Sequence, residues 1–215
     1  MAPNFLSSKD IVIIAYGEVK NELHSGKTAT ELTADVMVQL LAKTGLTNRE
    51  IDGFALTLPL SETGFAWYSN VLVDNLGIQA RWLQITDIGG CSILGNIARA
   101  AAALKCGMIE FAFCIHADAP SRPHVAEYFN YRSEFQEPAG FQGPLVAFGL
   151  MTDAYDQKYG LKPEALGLLA VAQRNGAVAN ENALEKLRKP ITVDDVLDHI
   201  LPDDWREERH EVTDE

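Results

Sequence analysis

The residues best placed to do chemistry gather at one turn, Gly89-Gly90-Cys91-Ser92. It joins a short apolar stretch that reads as a strand, residues 81–85 (RWLQI), to an alanine-rich stretch that reads as a helix from Ser92 to about Cys106, with Gly107 as its stop. A cysteine at such a place faces unpaired backbone N–H groups and the positive end of the helix dipole, and both stabilise a thiolate. The same N–H groups could hold an oxyanion during acyl transfer. Two preceding glycines let the backbone turn sharply and let a bulky substrate approach. A bland reading is equally physical: Cys91 is a small apolar residue filling a tight strand–helix junction. The candidate residues are therefore Cys91 as nucleophile, with Gly89, Gly90 and Ser92 as the groups that meet substrate.

The elements that must position this turn alternate. Residues 11–16 (IVIIAY) form a continuous apolar run, expected to be a strand covered on both faces. Residues 30–44 place Leu32, Val36, Leu40 and Leu41 at helical spacing, and Gly45 closes them. Thr47-Asn48-Arg49-Glu50 has the form of a capping box opening a short helix. A second strand is expected over residues 53–58 (GFALTL), a helix over 65–76, and a further strand over 110–116 (EFAFCIH). Strands alternating with helices imply βαβ units and a parallel sheet with right-handed crossovers. Residues 117–144 hold four prolines and several aromatics without a period, which reads as a long connection. Helical spacing returns over 145–159, again from Lys162-Pro163-Glu164 to about Val178, and over a short stretch that Thr192-x-x-Asp195 caps. The organisation expected is an α/β core over 1–118, a loop and helical excursion over 119–201, and an acidic tail over 202–215.

Composition bounds the function. Of the 215 residues, 47% are hydrophobic, enough for a packed core, and the net charge of −12 disfavours phosphate backbones, so nucleic acid is not an expected partner. No apolar run reaches the roughly 20 residues needed to span a bilayer, and residues 1–10 lack the pattern of a signal peptide. Three cysteines, Cys91, Cys106 and Cys114, include no CxxC pair, so no metal site is expected and a reducing, cytoplasmic setting is. Single residues elsewhere have default structural readings: His116 as a satisfied strand-end histidine, and Asp118 as a loop-capping carboxylate.

The segment from Asp87 to Asp118, DIGGCSILGNIARAAAALKCGMIEFAFCIHAD, resembles the nucleophile region of the thiolase superfamily, where a strand leads to a Cys-x-Ser-Gly turn, an alanine-rich helix, a glycine and a buried strand. FQGPLVAFGLMTDAYDQKYG from Phe141, LKPEALGLLAVAQRNGAVAN from Leu161 and PITVDDVLD from Pro190 are similar to it as well. The similarity is strongest to the sterol-carrier-protein and lipid-transfer thiolase-like subgroup, and only to the first half of such a subunit. It implies a layered αβαβα fold, first half only, with a mostly parallel sheet and a helical and loop excursion. It also implies an acyl-CoA acyltransferase acting on fatty or sterol-derived acyl-CoA, with coenzyme A as part of the substrate and no separate cofactor. Two alternatives stay open. One is retro-aldol cleavage of a steroid side-chain acyl-CoA, done in some members with a zinc-ribbon/OB-fold partner. The other is a non-catalytic half that binds a partner or lipid.

The match departs from the family's pattern in two ways. The family's nucleophile stands two positions before the motif serine, so if Ser92 is that serine the slot falls on Gly90, and Ile93 stands where the motif glycine belongs. The Gly-His-Pro and Cys-x-Gly motifs of the second half do not occur. A homodimer or a complex with a second subunit is therefore expected, because half a sheet leaves an edge open to pairing.

Overall fold

The computed structural model describes residues 11–62, 65–120, 137–140 and 143–200. The chain divides into two compact units, one of residues 1–19 and 24–131, the other of residues 20–23 and 132–215. The expected tail over 202–215 and most of the long connection lie outside the described residues.

The first unit is a parallel sheet with helices. Helix α1 (Ala29–Thr44) starts at Thr28, whose hydroxyl accepts from the Glu31 N–H while Glu31 returns a bond to the Thr28 N–H, and ends at Gly45 in the left-handed region. Strand β1 (Gly53–Thr57) is buried at every position, as a central strand must be. Helix α2 (Tyr68–Asn75) precedes β2 (Trp82–Thr86), and α3 (Ser92–Lys105) precedes β3 (Ala112–Ile115). The sheet order is β2-β1-β3, all parallel, with Gly53 opposite both Trp82 and Ala112. The expected α/β class and parallel sheet are both present.

Phe54 and Leu56 of β1 meet Phe113 and Ile115 of β3, Leu72 of α2, and Val36 and Met37 of α1 in one apolar cluster. The Phe54 and Phe113 rings tilt against each other with centroids 5.4 Å apart. Gly53 packs closely beside Ile109: a Cβ there would lie 2.4 Å from the tip of the Ile109 side chain, which would have to move aside.

The N-terminal ends of all three strands are stitched by Asp52. Its carboxylate accepts from the N–H groups of Glu110 and Phe111, each at 2.9 Å, and its carbonyl accepts from Arg81 and Trp82 at 2.7 and 3.1 Å.

Three expectations need correction. Residues 11–16 are not a strand: Val12 and Ile13 are 74% and 78% exposed, and the three-stranded sheet supplies no neighbour along them among the described residues. An apolar run is strand-competent, but only a partner's ladder makes it a strand. The Thr47–Glu50 motif does form, with Glu50 accepting from the Thr47 N–H at 2.8 Å, yet it closes a turn, since β1 begins three residues later. Helix α2 starts at Tyr68 rather than 65, behind Trp67 held in the left-handed region at φ 61°.

The second unit holds α4 (Gly143–Tyr159), α5 (Pro163–Ala179) and α6 (Val193–Ile200). Pro163 fits the first turn of α5. Thr192 and Asp195 cap α6 reciprocally as expected, at 2.8 and 3.1 Å. A Cβ on Gly167 of α5 would come 2.8 Å from Val193, so glycine allows α5 and α6 to meet. None of the described helices is long and apolar enough to cross a membrane.

Candidate functional site

Parallel strands deliver their C-terminal ends to one edge of the sheet, and ligands of open α/β sheets bind at such edges. Here that edge carries Thr57, Thr86 and Ile115, and the Gly89–Ser92 turn rises from it. The exits of β1 and β3 are tied together by Asp118, whose carboxylate accepts from the N–H groups of Leu60 and Ser61 at 3.0 and 3.1 Å. Asp118 is thus a loop tie, as its default reading holds. His116 is exposed just past β3.

The turn is built from local bonds. Gly89 adopts φ +75°, a conformation that suits glycine, and its carbonyl accepts from the Ser92 N–H at 3.0 Å. The Ser92 hydroxyl accepts from the Ile88 N–H at 2.9 Å and donates to the Gly89 carbonyl at 2.6 Å, and Ser92 is buried. Its hydroxyl closes the turn. Gly90 differs from Gly89: its φ lies outside the left-handed region, and a Cβ there would meet nothing within 4 Å.

Cys91 occupies the N-cap position of α3 and is exposed. Its Sγ donates to the Ile88 carbonyl at 3.3 Å. The side chain accepts no helix N–H. The first intrahelical bond runs from Gly95 N–H to the Cys91 carbonyl at 3.1 Å, so by helix geometry the N–H groups of Ile93 and Leu94 precede the ladder.

Beneath the turn lies a buried polar group that periodicity alone did not single out. Ser92, Asn96, Ala100 and Ala103 form the buried face of α3. Asn96 Nδ2 donates to Thr57 Oγ1 at 3.4 Å, and Arg99 Nη1 donates to Thr86 Oγ1 at 2.7 Å. The available signal was the four-residue spacing from Ser92 to Asn96, which puts both on one helix face.

The other cysteines stand apart in character. Cys106 is exposed at the end of α3, while burial pushes the Cys114 thiol up from 9.0 to about 11. A raised folded value means that the native state holds its proton longer than the unfolded chain does. The stabilisation is complete below the unfolded value and is lost as pH rises between 9.0 and about 11. The expected result is that the drop in the urea midpoint over that window shrinks in Cys114→Val, and that native Cys114 alkylates more slowly than Cys91 or Cys106. Denaturation curves and mass mapping check both.

No family model matches the chain. A steroid side-chain-cleaving aldolase of Thermomonospora curvata is 25% identical over 206 residues, covering 85% of this chain and 48% of that protein. The fold is shared with a solved aldolase. A chain of the Ltp2-ChsH2(DUF35) aldolase superposes with a TM-score of 0.63 at 23% identity, covering 83% of this chain and 46% of that one. This chain spans about half the length of both proteins. The relative from Thermomonospora curvata is named for the cleavage chemistry of the retro-aldol alternative.

Proposed function

We propose that this chain is the first half of a thiolase-type layered enzyme that performs retro-aldol cleavage of a steroid side-chain acyl-CoA, acting together with a second subunit. The observation that carries this reading is an open glycine turn at the N-terminus of α3 whose one thiol contacts the backbone behind it. Gly90 opens onto empty space, and the Cys91 thiol is turned back onto the Ile88 carbonyl. Retro-aldol chemistry asks for this. A base takes the proton of the β-hydroxyl, the C–O becomes a carbonyl, the Cα–Cβ bond breaks, and its electron pair moves into the thioester as an enolate, which is then protonated at Cα. The enolate oxygen needs N–H donors, and the first turn of α3 offers them at the positive end of its dipole. In this reading Gly89 and Gly90 admit the thioester, Ser92 holds the turn, and Cys91 is a bystander. Coenzyme A enters as part of the substrate.

Two further observations support a second subunit. Helix α4 exposes Leu145, Phe148, Met151, Tyr155 and Tyr159, an apolar surface of the kind that partners cover. The Ltp2-ChsH2(DUF35) aldolase is also named for two components. The partner proposed here is of the zinc-ribbon/OB-fold kind or a second copy of this chain.

The test is to supply a steroid β-hydroxyacyl-CoA and follow release of the steroid ketone and the shortened acyl-CoA, with the chain alone and with a DUF35-type protein added. Cleavage is expected in the mixture, with Cys91→Ala within about twofold of the parent because no covalent step uses the thiol. Abolition by Cys91→Ala would return the acyl-transfer reading. No cleavage in any mixture would leave the non-catalytic one.

A further inference from the structure

Thr57 and Thr86 are direct partners in the β1–β2 register, and both side chains are buried under α3. Asn96 reaches the first and Arg99 the second. One turn before Asn96 on the same helix face, Ser92 spends its hydroxyl on Ile88 and Gly89. A continuous path therefore runs from the end of β1, through Asn96 and the first turn of α3, to the Gly89–Ser92 turn.

Asn96 is an expensive residue for this place. It is fully buried, and its Oδ1 has no hydrogen-bond partner among the described residues. A buried carbonyl oxygen stripped of water and left unpaired destabilises the native state, whereas an apolar side chain of similar size would not. Burial alone would be better served by leucine. What the amide adds is direction: a hydrogen bond to Thr57 specifies one rotation and one height of α3 above the sheet, which apolar contact does not. We propose that Asn96 is a positioning residue, setting the register of α3 on the Thr57–Thr86 pair and through it the placement of the Gly89–Ser92 turn. This concerns the geometry of the turn and does not depend on the retro-aldol reading.

The two exposed cysteines at opposite ends of α3, Cys91 and Cys106, supply the measurement. Iodoacetamide alkylation at neutral pH is followed at both by mass mapping in the parent, Asn96→Leu and Thr57→Val. General loosening of the helix changes both rates together. Loss of register at the N-terminal turn changes the ratio of Cys91 to Cys106. The expected result is a change in that ratio of about threefold or more in both variants, with Asn96→Leu at least as resistant to urea as the parent. A ratio that stays within that range in either variant overturns the proposal. If Asn96→Leu does not fold, Thr57→Val, which preserves shape, decides alone. The measurement uses no substrate, so a failed cleavage assay leaves it standing.

Discussion

Asp52→Ala is expected to lower the unfolding free energy of the first unit by about 3 kcal/mol, since hydrogen bonds to a charged group contribute about 1.5–3 kcal/mol each and two backbone donors lose their acceptor. The donors are the N–H groups of Glu110 and Phe111, which enter β3 and have no role in the β1–β3 ladder until the strand begins. The Arg81 contact adds little: its Nη1 stands 3.8 Å from the carboxylate, and its side chain is 67% exposed. Asp52→Asn keeps one carbonyl acceptor and should fall between the parent and alanine. Urea denaturation followed by far-UV circular dichroism checks the order. Equal midpoints for alanine and the parent would mean that the strand ends are held by the ladder alone.

Gly89→Ala and Gly90→Ala are expected to part company. A Cβ at either position meets no atom within 4 Å, so sterics with the surroundings do not separate them. The backbone does. Gly89 sits at φ +75°, where an L side chain costs about 1–2 kcal/mol. Relaxing that angle pulls the Gly89 carbonyl away from the Ser92 N–H and hydroxyl, so the turn itself moves. Gly90 has no such demand, and alanine there is expected to be neutral or to add about 0.5 kcal/mol by restricting the unfolded chain. Thermal unfolding of the two variants measures the difference. In the cleavage assay the positions should reverse in interest: Gly90→Ala keeps the fold but puts a methyl group into the open space where the thioester is proposed to enter.

The readable features of this chain are local ones. Helix α3 spans Ser92–Lys105, against an expected end at about Cys106, because a helical stripe, a turn before it and Gly107 after it all lie within a few residues. Thr192 and Asp195 cap α6 for the same reason. The Gly89-Gly90-Cys91-Ser92 turn was visible as a turn. The nucleophile role expected of Cys91 rested on the generic behaviour of a helix N-terminus and on the family resemblance, and in the structure its side chain contacts the Ile88 carbonyl. Nothing in the spacing of residues 88–92 specifies that contact.

By itself the sequence determined the places of the three sheet strands and of α1, α3, α4, α5 and α6 to within a few residues, and that the sheet is parallel, because periodicity, caps and glycine act over one or two turns of chain. Only the tertiary structure decided the strand order β2-β1-β3, which leaves the apolar residues 11–16 without a ladder among the described residues. Only it paired Asp52 with Glu110 across 58 residues and Asn96 with Thr57 across 39. Such bonds follow from which strand ends are brought side by side. That is settled by packing Phe54, Leu56, Phe113 and their neighbours into one core, a property of the whole assembly of elements and of no single segment.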